Sequence, residues 1–310
     1  MDMERQSEQH TLNSLLPAEA NEYKKTLIES NGALYVEFFR ADVLNEIVAE
    51  SVIDRNIRKR KISSTIYKIL QIVIKLIQGN GINPDSTIKP VTTHYRFCTK
   101  TLQVTADLEA LMKVIDIVDL KKHPELFRQS ASVKEVKQLW HNLNNITFTT
   151  LSPNSEKCPE EKEKKNQEII KIISYNLKEF DVETIASVYK MILKTKNPFF
   201  STKYINEYIK IGNVSCKETK IQLCKFILAF AVPTQKQELL EVTCNFLYSL
   251  ITMENSKLKF KNISVVFAPI FFIDEECNIV DANFKEIMEK LKDLLEFFLE
   301  NSPQIFLLSL

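Results

Sequence analysis

The sequence predicts an all-α protein, and three observations support this. Apolar residues recur three and four apart along most of the chain, the period of one helix face. Few stretches alternate in the two-residue rhythm of a half-buried strand. From residue 104 onward the helical segments follow one another closely. A 45% apolar share with 26% charge gives a chain of 310 residues enough buried material for one large domain or two smaller ones.

Taken in order, residues 1–15 are polar and read as a frayed end. Segments 17–29 and 33–51 carry helical patterns, with Asn31-Gly32 as a break between them. A basic run, Arg55 to Lys61, leads into a third helix at 64–78. Gly79-Asn80-Gly81 and Asn83-Pro84-Asp85 then make a turn-rich linker up to residue 92. A domain boundary belongs there, separating an additional N-terminal helical region, 1–92, from a multi-helix domain at 93–310. In that second part, 105–118 places Leu108, Leu111, Met112, Ile115 and Ile117 on a mostly apolar face. Residues 133–143 form the next helix. A charged, low-complexity stretch within 146–170 is too polar to bury and reads as an inserted loop. Further helices are expected at 168–177, 181–195, 202–210, 217–230, 235–253, 257–268 and 282–300.

Several functional classes lack support. A net charge of +1 points neither to nucleic acid nor to an acidic substrate. The opening residues are too polar and acidic for a signal peptide, and the most apolar early run, Ile66 to Ile77, is too short and too charged to span a bilayer. Six scattered cysteines without a Cys-x-x-Cys pair read as free thiols in a reducing cytoplasm. The four histidines form no metal-binding pair, so no metal is expected. Only four glycines occur, and none belongs to a phosphate-cradling loop, so no cofactor is expected and a nucleotide would be held by a partner. The basic run Arg55–Lys61 has two readings: peripheral contact with anionic membrane (or a nuclear signal), and a solvated turn, which is preferred.

The most informative stretch is Pro124 to Leu139. The apolar pair Leu126-Phe127 is followed by Arg128 and the polar turn Gln129 to Ser132. Val133, Val136, Leu139 and Trp140 then recur at helical spacing, and Ser132 stands three residues before Glu135, the signature of a capping box. Arg128 is thus expected in a loop, anchored by buried neighbours and itself pointing outward. This stretch resembles the arginine-finger loop of the RhoGAP family, with Glu125 and Ala131 where the family has glycines.

Three more segments resemble the same family in the right order, so that the likeness covers about 93–305. In Asp181 to Lys194, Val182, Ile185, Ala186, Tyr189, Ile192 and Leu193 share one helix face, while Glu183, Ser187, Lys190 and Lys194 form the opposite stripe. Lys190 falls on the family lysine that contacts the GTPase, and Lys194 on the arginine that braces the finger loop. Lysine at 194 keeps that charge without the planar fork of donors. Val232-Pro233 and the apolar residues through Leu250 resemble a core helix. Lys257 to Pro269 resembles the segment whose asparagine, here Asn262, contacts the GTPase; Pro269 is expected to end that helix.

The resemblance implies an all-α RhoGAP-like domain that stimulates GTP hydrolysis by a Rho-family small GTPase in its GTP-bound form. The chain would be an enzyme regulator, not an enzyme. Arg128 would be the trans-acting catalytic group, with Lys190, Lys194 and Asn262 binding or positioning. The glycine replacements keep an alternative open: a catalytically weak or inactive GTPase-binding or scaffold module.

Overall fold

The structure is a computed structural model that describes residues 11–15, 17–57, 123–150, 179–194, 198–254, 256–274 and 283–308. Expected helices at 64–78, 105–118 and 168–177 lie outside these residues, as do the boundary near 92, most of the basic run and inserted segment 151–170. The described helices are α1 Pro17–Phe38, α2 Ala41–Ile57, α3 Val133–Thr150, α4 Val182–Lys194, α5 Ile205–Gly212, α6 Lys217–Phe226, α7 Thr234–Thr252, α8 Phe260–Phe272, α9 Phe284–Glu300 and α10 Ser302–Phe306. No β-strand occurs among the described residues; an isolated antiparallel bridge joins Thr11 to Leu307. The all-α fold class holds.

The core sits where α4, α7, α8 and α9 meet. Periodicity explains why: Leu239, Leu240, Phe246, Leu247 and Leu250 of α7 are buried, as are Leu291, Leu294, Leu295, Phe298 and Leu299 of α9. Phe200 stacks on Phe272 at 5.0 Å and meets Phe298 edge-on at 5.7 Å, geometries that aromatic rings favour beyond their buried area.

Four expectations need correction. Residues 11–15, read as part of a frayed end, are packed in place: Leu12–Ser14 form a 3-10 turn, and Thr11 and Leu12 are buried. Asn31-Gly32 does not break the first helix, because α1 runs unbroken from Pro17 to Phe38. A helical glycine costs about 1 kcal/mol relative to alanine, and burying Leu27, Tyr35 and the following Phe39 outweighs that. The helix after the arginine loop is longer than 133–143: residues 146–150, expected in the inserted loop, are its last turn. Pro269 does not end α8, which continues to Phe272. Proline removes one hydrogen bond, but it lies on the exposed side, whereas Ile270, Phe271 and Phe272 are buried beyond it.

Between α6 and α7 the chain makes a five-residue π-turn, Ile227–Ala231, closed by the bond from Val232 N to Ile227 O at 3.1 Å. The wide turn disturbs the regular carbonyl ladder. Gln237, itself buried, donates from Nε2 to the carbonyls of Leu228 and Val232, each at 3.0 Å.

The N-terminal helices pack on this part of the molecule. Tyr35 and Phe39 lie against Phe226 with ring centroids 4.4 and 5.1 Å apart. Lys24 donates to Ser51 and sits 5.4 Å from the Phe230 ring centre. Ahead of α1, Thr11 and Asn13 donate to the buried carboxylate of Glu241 on α7. Burial pushes that carboxyl from 4.5 up to about 7, against the opposing pull of the Asn13 and Thr11 hydrogen bonds.

Candidate functional site

Asp181 starts α4: its Oδ1 accepts from Thr184 N at 2.6 Å, satisfying one of the donors a helix start leaves unpaired. The apolar face of α4 then buries Ile185, Ala186, Val188, Tyr189 and Leu193, which turns the opposite stripe outward.

That stripe holds the segment bearing Arg128. Residues 124–129 form a tight turn, with Arg128 N donating to Glu125 O at 2.8 Å and Gln129 N to the same oxygen at 3.0 Å. Leu126 and Phe127 are each 1% exposed, and Phe127 packs against Tyr189, Phe246 and Phe267 at 6.3, 6.5 and 5.2 Å. The next side chain, Arg128, is 70% exposed. One residue is an anchor and its neighbour points to solvent.

Polar bonds to α4 hold the loop along its length. His123 Nδ1 meets Glu183 Oε1 at 2.6 Å before the turn. Within the turn, the Lys190 ammonium donates to the Phe127 carbonyl. Beyond it, Thr184 Oγ1 donates to Glu135 Oε2 at 3.4 Å, so a carboxylate in the first turn of α3 reaches across to α4. Desolvation lowers the pKa of Lys190, as expected for an ammonium drawn into half-buried surroundings.

Lys190 therefore sits against the loop that bears Arg128, on the carbonyl of the residue before it. Lys194 lies exposed in the last turn of the same helix. Asn262 lies half-buried in the first turn of α8, which packs against α4. It stands five residues before Phe267, about 7.5 Å along the axis at 1.5 Å per residue. Because Phe267 touches Phe127, one aromatic cluster links the helix carrying Asn262, the helix carrying Lys190 and Lys194, and the loop carrying Arg128.

Besides the bond from Lys190 to the Phe127 carbonyl, two side-chain pairs escaped the sequence reading. The His123–Glu183 pair spans 60 residues, and neither residue type announces the other. Glu125 forms an ion pair with Arg128, Oε2 to Nη1 at 3.3 Å. Their i, i+3 spacing is the only signal of that pair in the sequence, and it applies only if the residues form a helical turn. No group of three or more potential metal ligands exists among the described residues. None of the described helices is long and apolar enough to cross a membrane.

Comparison with known proteins gives the following. The family model of the RhoGAP domain matches residues 108–276. The crystal structure of the BH domain from Graf, the GTPase regulator associated with focal adhesion kinase, shows 18% identity and a TM-score of 0.42, over 59% of this chain and 83% of that one. That of human Rho GTPase activating protein 15 shows 13% identity and a TM-score of 0.42, over 61% of this chain and 83% of that one. No curated protein sequence matches the chain. The assignment rests on the family match, which spans more than half the residues: this chain belongs to the RhoGAP domain family, the regulators of Rho GTPases.

Proposed function

We propose that this protein accelerates GTP hydrolysis by a Rho-family GTPase, inserting Arg128 in trans into the partner's nucleotide site. The observation carrying this reading is the contrast at 127 and 128. A fully buried phenylalanine, its carbonyl held by Lys190, presents an arginine that is 70% exposed. A small GTPase holds GTP and Mg²⁺ itself but hydrolyses slowly, because charge building on the β–γ bridging and γ-phosphate oxygens is poorly neutralised. A guanidinium held at that position stabilises the charge and helps exclude water. No side chain of this protein forms or breaks a bond.

Placement supports three further roles. Lys190 positions the loop through the Phe127 carbonyl. Lys194, exposed on the same helix, and Asn262, at the start of α8, are the groups proposed to meet the GTP-bound partner. The protein would work in the cytoplasm.

The test is single-turnover GTP hydrolysis by a panel of Rho-family GTPases, with wild type and Arg128→Ala. Wild type should accelerate at least one member. The alanine variant should lose about 10³–10⁵ in rate, roughly 4–7 kcal/mol, while still binding. An alanine variant as active as wild type would remove Arg128 from the role. The second reading, a binding module without catalysis, is favoured by the carboxylate of Glu125 beside Arg128. It predicts complex formation with a GTP-loaded member and no acceleration across the panel.

A further inference from the structure

We propose that Glu125 is a brake on Arg128: its carboxylate holds the guanidinium on its own loop, and the finger enters a partner's phosphate site only when this pair opens. The inference rests on the arginine-finger reading above and adds a residue that governs it.

The geometry is specific. Arg128 N and Gln129 N both donate to the Glu125 carbonyl, which fixes residues 125 and 128 one helical turn apart on the same side. The carboxylate then meets Arg128 Nη1 at 3.3 Å. The neighbouring basic side chains are engaged elsewhere: Lys190 is on the Phe127 carbonyl, and His123 meets Glu183. Among the described residues, Arg128 is therefore the ionic partner of Glu125. The glutamate stands where the resemblance places a glycine, which has no group to offer the arginine.

The consequence for catalysis has a definite sign. A guanidinium shared with a carboxylate carries less positive field toward a third party. If Glu125 follows it toward the γ-phosphate, a negative charge approaches developing negative charge, and water exclusion strengthens that repulsion. The pair is exposed, 70% and 36% for the two side chains. Exposed ion pairs are weak, so opening this one slows the reaction by about fivefold and does not abolish it.

The test is single-turnover hydrolysis at saturating activator, comparing wild type, Glu125→Gln, Arg128→Ala and the double variant. Glutamine keeps the shape of glutamate and removes the charge. The limiting rate should rise about fivefold in E125Q with little change in half-saturation. The gain should vanish in the Arg128→Ala background and shrink with added salt, which screens the ion pair in wild type. A merely structural role for Glu125 would show none of that dependence on Arg128 or on salt. Glu125→Ala, a second charge-free variant, should move the same way. If wild type accelerates and both charge-free variants equal it or fall below it, there is no brake. Acceleration by E125Q alone would mean that the brake is strong enough to silence wild type. If neither accelerates any partner, the arginine-finger reading itself falls, and the brake with it.

Discussion

The two ends of this molecule are held together by different chemistry. At the N-terminal end, the segment from Thr11 to Phe39 adheres through rings and buried polar groups: Tyr35 and Phe39 on Phe226, Lys24 over Phe230, and Glu241 receiving Thr11 and Asn13. At the arginine end, one buried ring, Phe127, seats the loop, and polar bonds from a single helix fix its course. The first arrangement buries surface and makes stability. The second sets where one exposed side chain begins. A substitution at one end should therefore change a different observable from a substitution at the other.

The sharpest way to break that comparison is a matched pair, Phe39→Ala and Phe127→Ala. Both rings are buried, at 2% and 1% exposure, so each loss should cost about 3–5 kcal/mol in urea denaturation. Hydrolysis stimulated per folded molecule should separate them. Phe39→Ala should leave it unchanged, whereas Phe127→Ala should remove most of it, because Arg128 loses its seat. Equal rate losses would show that the two ends work as one unit.

A smaller effect sharpens the comparison through pH. The Glu241 carboxyl titrates near 7 when folded and near 4.5 when exposed, so between those values the folded state binds more protons. Stability from this group is complete below about pH 4.5 and is lost as pH rises through 7. The loss amounts to at most about 3 kcal/mol at 1.36 per pKa unit. Unfolding free energies of wild type and Glu241→Gln across this range should diverge, with the wild-type curve falling and the variant's flat by comparison. Parallel curves would remove Glu241 as the cause.

The smallest predicted effect is Gly32→Ala. A methyl group there meets nothing within 4 Å, and the residue lies inside a helix, so the variant should be more stable by about 0.5–1 kcal/mol. Denaturant midpoints would show it, and stimulated hydrolysis should not move.

Legibility follows a physical line. Local patterns were readable: the helix from Val182 to Lys194, its two faces, and the burial of Leu126 and Phe127 all follow from spacing over a few residues. Where local preference met tertiary packing, packing prevailed. Gly32 and Pro269 both looked like punctuation, yet the helices continue because buried residues lie on the far side of each. Contacts across 60 residues, such as His123 with Glu183 or Lys190 with the Phe127 carbonyl, left no trace in the spacing. Positively charged side chains on an amphipathic helix look alike whether they meet a partner or a neighbouring loop.

The attachment of the loop to α4 also affects how tightly a partner is held. Fixing the backbone of a free residue costs about 1–2 kcal/mol in lost conformational freedom. A loose loop would incur that cost over several residues at the moment of docking. Here His123, the Phe127 carbonyl and Glu135 are all held by residues between Glu183 and Lys190. The loss of entropy falls within folding instead of within association, so the affinity for a partner keeps what a slack loop would forfeit.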